Sequence, residues 1–160
     1  MKIWSALLII VMFALTAVAA DVSGTWIAQI KNPNGALSER IFTFKVAGDK
    51  LTGTIANRNI STAIFQEPGK PPVTGTLKTQ GPPPQAFAEG KISGNDISFV
   101  IDAQGGIKNA YTGKVSGDQI TFTMETKWPE GYVSSAPSPA DRVPPKPQQI
   151  VAKRAAAPAK

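Results

Sequence analysis

The chain has 160 residues, a formal net charge of +6, 14 glycines and 14 prolines, and neither cysteine nor histidine. Those two absences exclude a Ser-His-Asp triad, a thiol nucleophile, a zinc site built on His or Cys, and ordinary haem ligation. With no disulfide available, the fold must rest on its own core.

The N-terminus reads as an export signal. Lys2 is the only charge before Asp21, and Leu7 to Leu15 supply an apolar stretch. Ala17-Val18-Ala19-Ala20 then offers a small-residue cleavage site, which predicts a leader over 1–20 and a periplasmic or secreted mature protein. The run ends too soon, in small and polar residues, for a retained spanning helix. Residues 129–160 carry a net +3, from Arg142, Lys146, Lys153, Arg154 and Lys160 against Glu130 and Asp141, which leaves only +2 for 21–128. That distribution lacks the basic stripe interleaved with aromatics that a nucleic-acid binder shows, and suits an anionic envelope better.

Apolar residues alternate with polar ones at period two from the mature start. The first strand runs from about Gly24 to Ile30, with Trp26, Ala28 and Ile30 on one face. The second, about Glu39 to Ala47, turns Phe42, Phe44 and Val46 inward, and Gly48-Asp49 leads into a third through Leu51, Gly53 and Ile55. Residues 57–84 are proline-rich and lose sustained alternation, though Thr62 to Gln66 and Val73 to Thr79 each suit a short strand. They predict an excursion, an extra hairpin folded over one end of the barrel. Ile60, Ile64 and Phe65 would either lid a cavity or merely anchor a long loop there.

Four further strands follow: Ala86 to Ser93, Asp96 to Ala103, Ile107 to Val115 and Gln119 to Lys127. Gly90-Lys91-Ile92-Ser93-Gly94-Asn95-Asp96-Ile97-Ser98-Phe99 recurs 23 residues later as Gly113-Lys114-Val115-Ser116-Gly117-Asp118-Gln119-Ile120-Thr121-Phe122. The copies share turn and core positions, as hairpins joined in series do. The prolines of 129–147 forbid helix or central strand. Gln148 to Arg154 then regains alternation through Ile150, Ala152 and Arg154. This last strand makes eight, the number at which an up-and-down meander closes into a small barrel by pairing with the first. The prediction is an all-β barrel domain over 21–154, with proline-rich inserts at 57–84 and 129–147 and a disordered tail at 155–160.

Asp21-Val22-Ser23-Gly24-Thr25-Trp26 resembles the Gly-x-Trp opening of calycin barrels, the lipocalins and avidins. The resemblance implies that Trp26 plugs one barrel end against a basic side chain of the last strand, where Arg154 stands. Phe42-Thr43-Phe44-Lys45, Leu51-Thr52-Gly53-Thr54, Tyr111-Thr112-Gly113-Lys114-Val115-Ser116-Gly117-Asp118 and Val151-Ala152-Lys153-Arg154 are similar to features of small secreted bacterial domains, found alone or appended to exported hydrolases. Avidins carry Asn two residues after the Trp to hold biotin. Ala28 stands there, so biotin binding does not carry over.

Gly53, Gly90 and Gly113 share the face of the large core residues, so the interior is either filled by aromatics or left as an apolar cavity. Candidate lining residues of such a cavity are Trp26, Phe42, Phe44, Phe99, Tyr111 and Phe122, with the Tyr111 hydroxyl and Asn109 as polar handles. Asp49, Asp96 and Asp118 sit at hairpin turns, while Glu89, Asp102 and Glu125 face outward, so the sequence nominates no catalytic residue, metal ligand set or cofactor. Three functions stay open: a non-catalytic binding or interaction module, its ligand small and apolar or another protein; a structural, envelope-associated domain touching anionic polymer; and a carboxylate-dependent hydrolase.

Overall fold

Alternating apolar residues need a second apolar layer, and here the sheet supplies it by curling onto itself. The computed structural model describes residues 20–32, 35–132 and 144–156. The expected leader lies outside them save for Ala20, as do residues 133–143 of the second insert and residues 157–160 of the expected tail. Among the described residues the strands are β1 (Gly24–Lys31), β2 (Leu37–Ala47), β3 (Lys50–Phe65), β4 (Val73–Gln80), β5 (Gln85–Ala86), β6 (Ala88–Ser93), β7 (Asp96–Asp102), β8 (Lys108–Ser116), β9 (Gln119–Lys127) and β10 (Gln148–Arg154). Every pairing is antiparallel. β5 and β6 act as one stave broken at Phe87, and β4 stands outside the ring. The result is a closed, eight-stranded, up-and-down barrel.

Closure depends on the two terminal strands. Trp26 lies opposite Arg154 and Ile27 opposite Lys153, while the Ala155 amide donates to the Thr25 carbonyl at 2.8 Å. The 23-residue repeat corresponds to the β6–β7 and β8–β9 hairpins. In each, a two-residue turn opens with glycine at positive φ, Gly94 at 57° and Gly117 at 56°. A side chain at either position would strain the backbone, which is why glycine recurs with the period.

The stave between β3 and β7 is irregular. β5 pairs with Thr54 and Ile55, and β6 rejoins β3 only at Lys50–Lys91. Register against β7 shifts between Ala88 and Lys91, the mark of a bulge. The bulge turns Phe87 into the core, where its ring meets Phe99 at 4.5 Å and Phe44 at 5.9 Å. A simple alternation through Ala88, Gly90 and Ile92 misses this residue.

The 57–84 excursion is a hairpin, and it is not folded over the barrel. Its first half continues β3 without a break to Phe65, and β4 pairs back along it from Phe65–Val73 to Arg58–Gln80. Since β2 ends its pairing with β3 at Leu37–Ile60, the arm projects beyond the barrel wall. Its root is tied down by the buried carboxylate of Glu39 on β2, which accepts from Arg58 Nη1 at 3.3 Å and Lys78 Nζ at 2.7 Å. One carboxylate thus clamps three strands. Both cations remain well exposed, so the clamp fixes geometry more than it adds stability.

Candidate functional site

The two ends of the barrel differ in chemistry. At the first, Trp26 is fully buried together with Val22, Ile120 and Ala152, and its indole N–H donates to the Val22 carbonyl at 2.8 Å. The Arg154 guanidinium lies over the Trp26 ring, its Cζ 4.3 Å from the centroid. It also donates from Nη1 to the Ser23 carbonyl (2.9 Å), from Nη2 to the Asp21 carbonyl (2.6 Å) and from Nε to Asp118 Oδ1 (3.0 Å). The two terminal nitrogens therefore hold the chain entry against the last strand, and Nε ties that strand to the β8–β9 turn. The end is a plug.

Between the ends the candidate lining residues meet one another. Phe42 stacks on Phe122 at 4.8 Å and Phe99 on Tyr111 at 4.8 Å, with edge contacts from Phe42 to Tyr111 at 6.0 Å and Phe99 to Phe122 at 5.9 Å. Aromatic pairs so arranged contribute about 0.5–1.5 kcal/mol each beyond area burial. The glycines that raised the question of empty volume are covered by rings. A Cβ on Gly90 would fall 2.8 Å from Phe87 Cε2, and one on Gly113 would fall 2.7 Å from Phe122 Cδ1.

The second end is polar. Alternation along β2 puts Arg40 on the same face as Phe42 and Phe44, at the mouth. Its Nη1 donates to the Tyr111 hydroxyl at 2.9 Å and approaches Met124 Sδ at 3.3 Å, and its Nε donates to Asn57 Oδ1 at 3.2 Å. Nearby on β8 and β9, Thr126 Oγ1 donates to Asn109 Oδ1 at 2.8 Å. Burial pushes the Tyr111 hydroxyl above its ordinary pKa, and the adjacent Arg40 cation and its hydrogen bond pull partly back. Tyr111 thus stays a neutral acceptor, and the partners of the guanidinium among the described residues are all neutral. Among the described residues no carboxylate pairs with it, although Glu39, the next residue, takes two cations on the opposite face. Sequence reasoning misses Arg40, because a charged residue before Phe42 reads as the strand's solvated start. Its inward parity was the available signal.

Three depressions mark the outer surface. The largest, about 810 Å³, is an open groove across β6–β9 walled by Lys91, Ser98, Thr112, Lys114, Thr121 and Thr123 among others. A second of about 510 Å³ lies where β1 and β10 diverge, between Gln29–Lys31 and Gln148–Val151. A third of about 430 Å³ sits over the Phe87 bulge. None has Trp26, Phe42, Phe44, Phe99, Tyr111 or Phe122 in its wall. Of the carboxylates, Asp118 is taken up by Arg154, while Asp96 and Asp102 lie 3.9 Å from Lys114 and Lys108. Among the described residues no three His, Cys, Asp or Glu side chains cluster as a metal would need.

An all-antiparallel closed barrel, plugged by an arginine-capped tryptophan at one end and crossed by a second arginine at the other, is the class that this architecture defines. No family model matches the chain, and no curated protein or solved structure matches it either. No helix among the described residues is long and apolar enough to cross a membrane.

Proposed function

We propose that this protein is an exported, non-catalytic binding or interaction module, a calycin-like barrel that engages its partner at the Arg40 mouth instead of in the barrel interior. The observation that carries the reading is the half-buried Arg40 guanidinium, held among the described residues by Tyr111, Asn57 and Met124. A cation partly withdrawn from water costs stability unless an opposite charge or a full set of hydrogen bonds accompanies it. A planar oxyanion on a partner supplies that charge and matches the guanidinium fork. The aromatic packing beneath the mouth argues against a small apolar guest deep in the barrel, since such a guest would have to displace Phe42, Phe99 or Phe122.

Titration of isotope-labelled protein with acetate and with inorganic phosphate tests this. Chemical-shift changes are expected to centre on Arg40, Asn57, Tyr111 and Thr126, and Arg40→Met should weaken the response about tenfold, the scale of one lost charged hydrogen bond. Changes scattered over surface lysines and untouched by Arg40→Met would contradict the reading. Envelope contact is the second reading. The Lys91 and Lys114 amines in the Ser/Thr-lined groove favour it, as they suit an anionic polymer lying across the barrel wall.

A further inference from the structure

The arm formed by β3 and β4 does nothing for the barrel core, yet it carries the most exposed apolar side chains among the described residues. Ile64 is 71% exposed, Val73 64% and Phe65 55%. These three lie together at its far end, where Phe65 pairs with Val73 and Ile64 with Thr74. Cross-strand partners share a face and sequence neighbours do not, so Phe65 and Val73 point one way and Ile64 the other. A hairpin that docks on a protein surface needs apolar residues on the docked face alone. Apolar residues on both faces of one tip suit immersion in an apolar medium.

The turn joining the strands is built compatibly. Of residues 66–72, Pro68, Pro71 and Pro72 have no amide hydrogen to desolvate. The Lys70 amide donates to the Glu67 carbonyl at 3.1 Å, and the Lys70 ammonium pairs with the Glu67 carboxylate. Few donors or net charges are therefore left uncompensated at the tip, which lowers the cost of leaving water. At the arm's root the buried Glu39 fixes Arg58 and Lys78, so the tip is presented at a set angle. Without the expected leader and its Lys2 the chain carries +5, the sign that anionic lipid headgroups attract.

We propose that the arm tip inserts Ile64, Phe65 and Val73 into the interfacial layer of an anionic lipid bilayer, holding the barrel at the membrane surface. Insertion is shallow: the 66–72 turn leads, its Glu67 and Lys70 charges entering as a neutral pair, and the apolar side chains just behind it reach the interfacial layer. This goes beyond the mouth site and is independent of it.

The test uses protein recovered from the periplasm of expressing cells, with its N-terminus verified by mass spectrometry. It is co-sedimented with phosphatidylcholine vesicles that contain or lack phosphatidylglycerol. Binding to the anionic vesicles is expected, weakened by high salt. The triple change Ile64→Ser, Phe65→Ser and Val73→Ser should weaken it roughly tenfold or more while leaving the barrel's thermal transition in place. As a second readout, the Phe65→Trp variant should gain a blue-shifted emission component on adding anionic vesicles. Arg40→Met should bind vesicles like the unaltered protein, so failure of the mouth reading does not imitate failure here. Equal vesicle binding by the triple variant, no binding by the unaltered protein, or an unshifted emission from the Phe65→Trp variant would each overturn the proposal. So would concentration-dependent self-association abolished by the triple variant in the absence of lipid, which would assign the tip to a second copy of the chain.

Discussion

Trp26→Ala is expected to destabilise the protein by about 3–5 kcal/mol, the range for removing a buried large aromatic. At a few degrees per kcal/mol for a domain of this size, the thermal midpoint should fall by roughly 10–25 °C. The ring is fully buried, its N–H is satisfied within the chain entry, and Arg154 covers its outer face, so nothing nearby can collapse into the void. Arg154→Met keeps apolar cover while losing the cation–π contact and three hydrogen-bonded anchors, and should cost less, about 1–2 kcal/mol. Calorimetry of the two variants checks the ranking. A Trp26→Ala protein that melted within a few degrees of the original would mean that the plug is not the keystone of closure.

The second large effect is expected at Gly90. An alanine Cβ there would sit 1.9 Å from the Leu51 carbonyl oxygen and 2.8 Å from the Phe87 ring. The oxygen belongs to the neighbouring strand's backbone and cannot rotate away, so β6 must part from β3, and the Phe87 ring must shift as well. Overpacking of this kind costs roughly 1–3 kcal/mol, and a backbone obstacle puts Gly90→Ala at the upper end. Gly94→Ala is the informative comparison. A Cβ there meets nothing within 4 Å, so only its left-handed backbone resists, at about 1 kcal/mol. Urea denaturation should separate the two midpoints clearly. Equal midpoints would show that β3 and β6 do not approach as closely as described.

What the sequence disclosed followed from where side chains are held between two apolar layers. β10 was legible despite the proline run before it, because Ile150, Ala152 and Arg154 alternate, and Ile150 and Ala152 are buried while Val151 is exposed. The 23-residue repeat was legible because the β6–β7 and β8–β9 hairpins need the same turn glycine and the same inward residues. Phe87 escaped because a bulge breaks parity, placing it and Ile92 in one core although they stand five positions apart. The outer half of β3 was legible only as the short strand at Thr62 to Gln66, and its unbroken continuation from Ile55 escaped for another reason. Asn59, Ser61 and Thr62 lie in an arm exposed on both sides, where burial imposes no alternation and flanking prolines suggest loop. Arg40 escaped because reading inward faces as apolar discards the charged residue at a barrel mouth, which is the position where chemistry would be placed.

A Trp26 end and an Arg40 end exist only if β1 and β10 meet as neighbours across the seam of a closed ring. Backbone nuclear Overhauser effects between Ile27 and Lys153, together with contacts from the Trp26 indole to the Arg154 side chain, measure that directly. Strong cross-strand effects are predicted, with the Ala155 amide exchanging slowly as a hydrogen-bonded group. Absence of those effects, with rapid exchange along β10 beside a free edge of β1, would contradict closure and with it the distinction between the two ends.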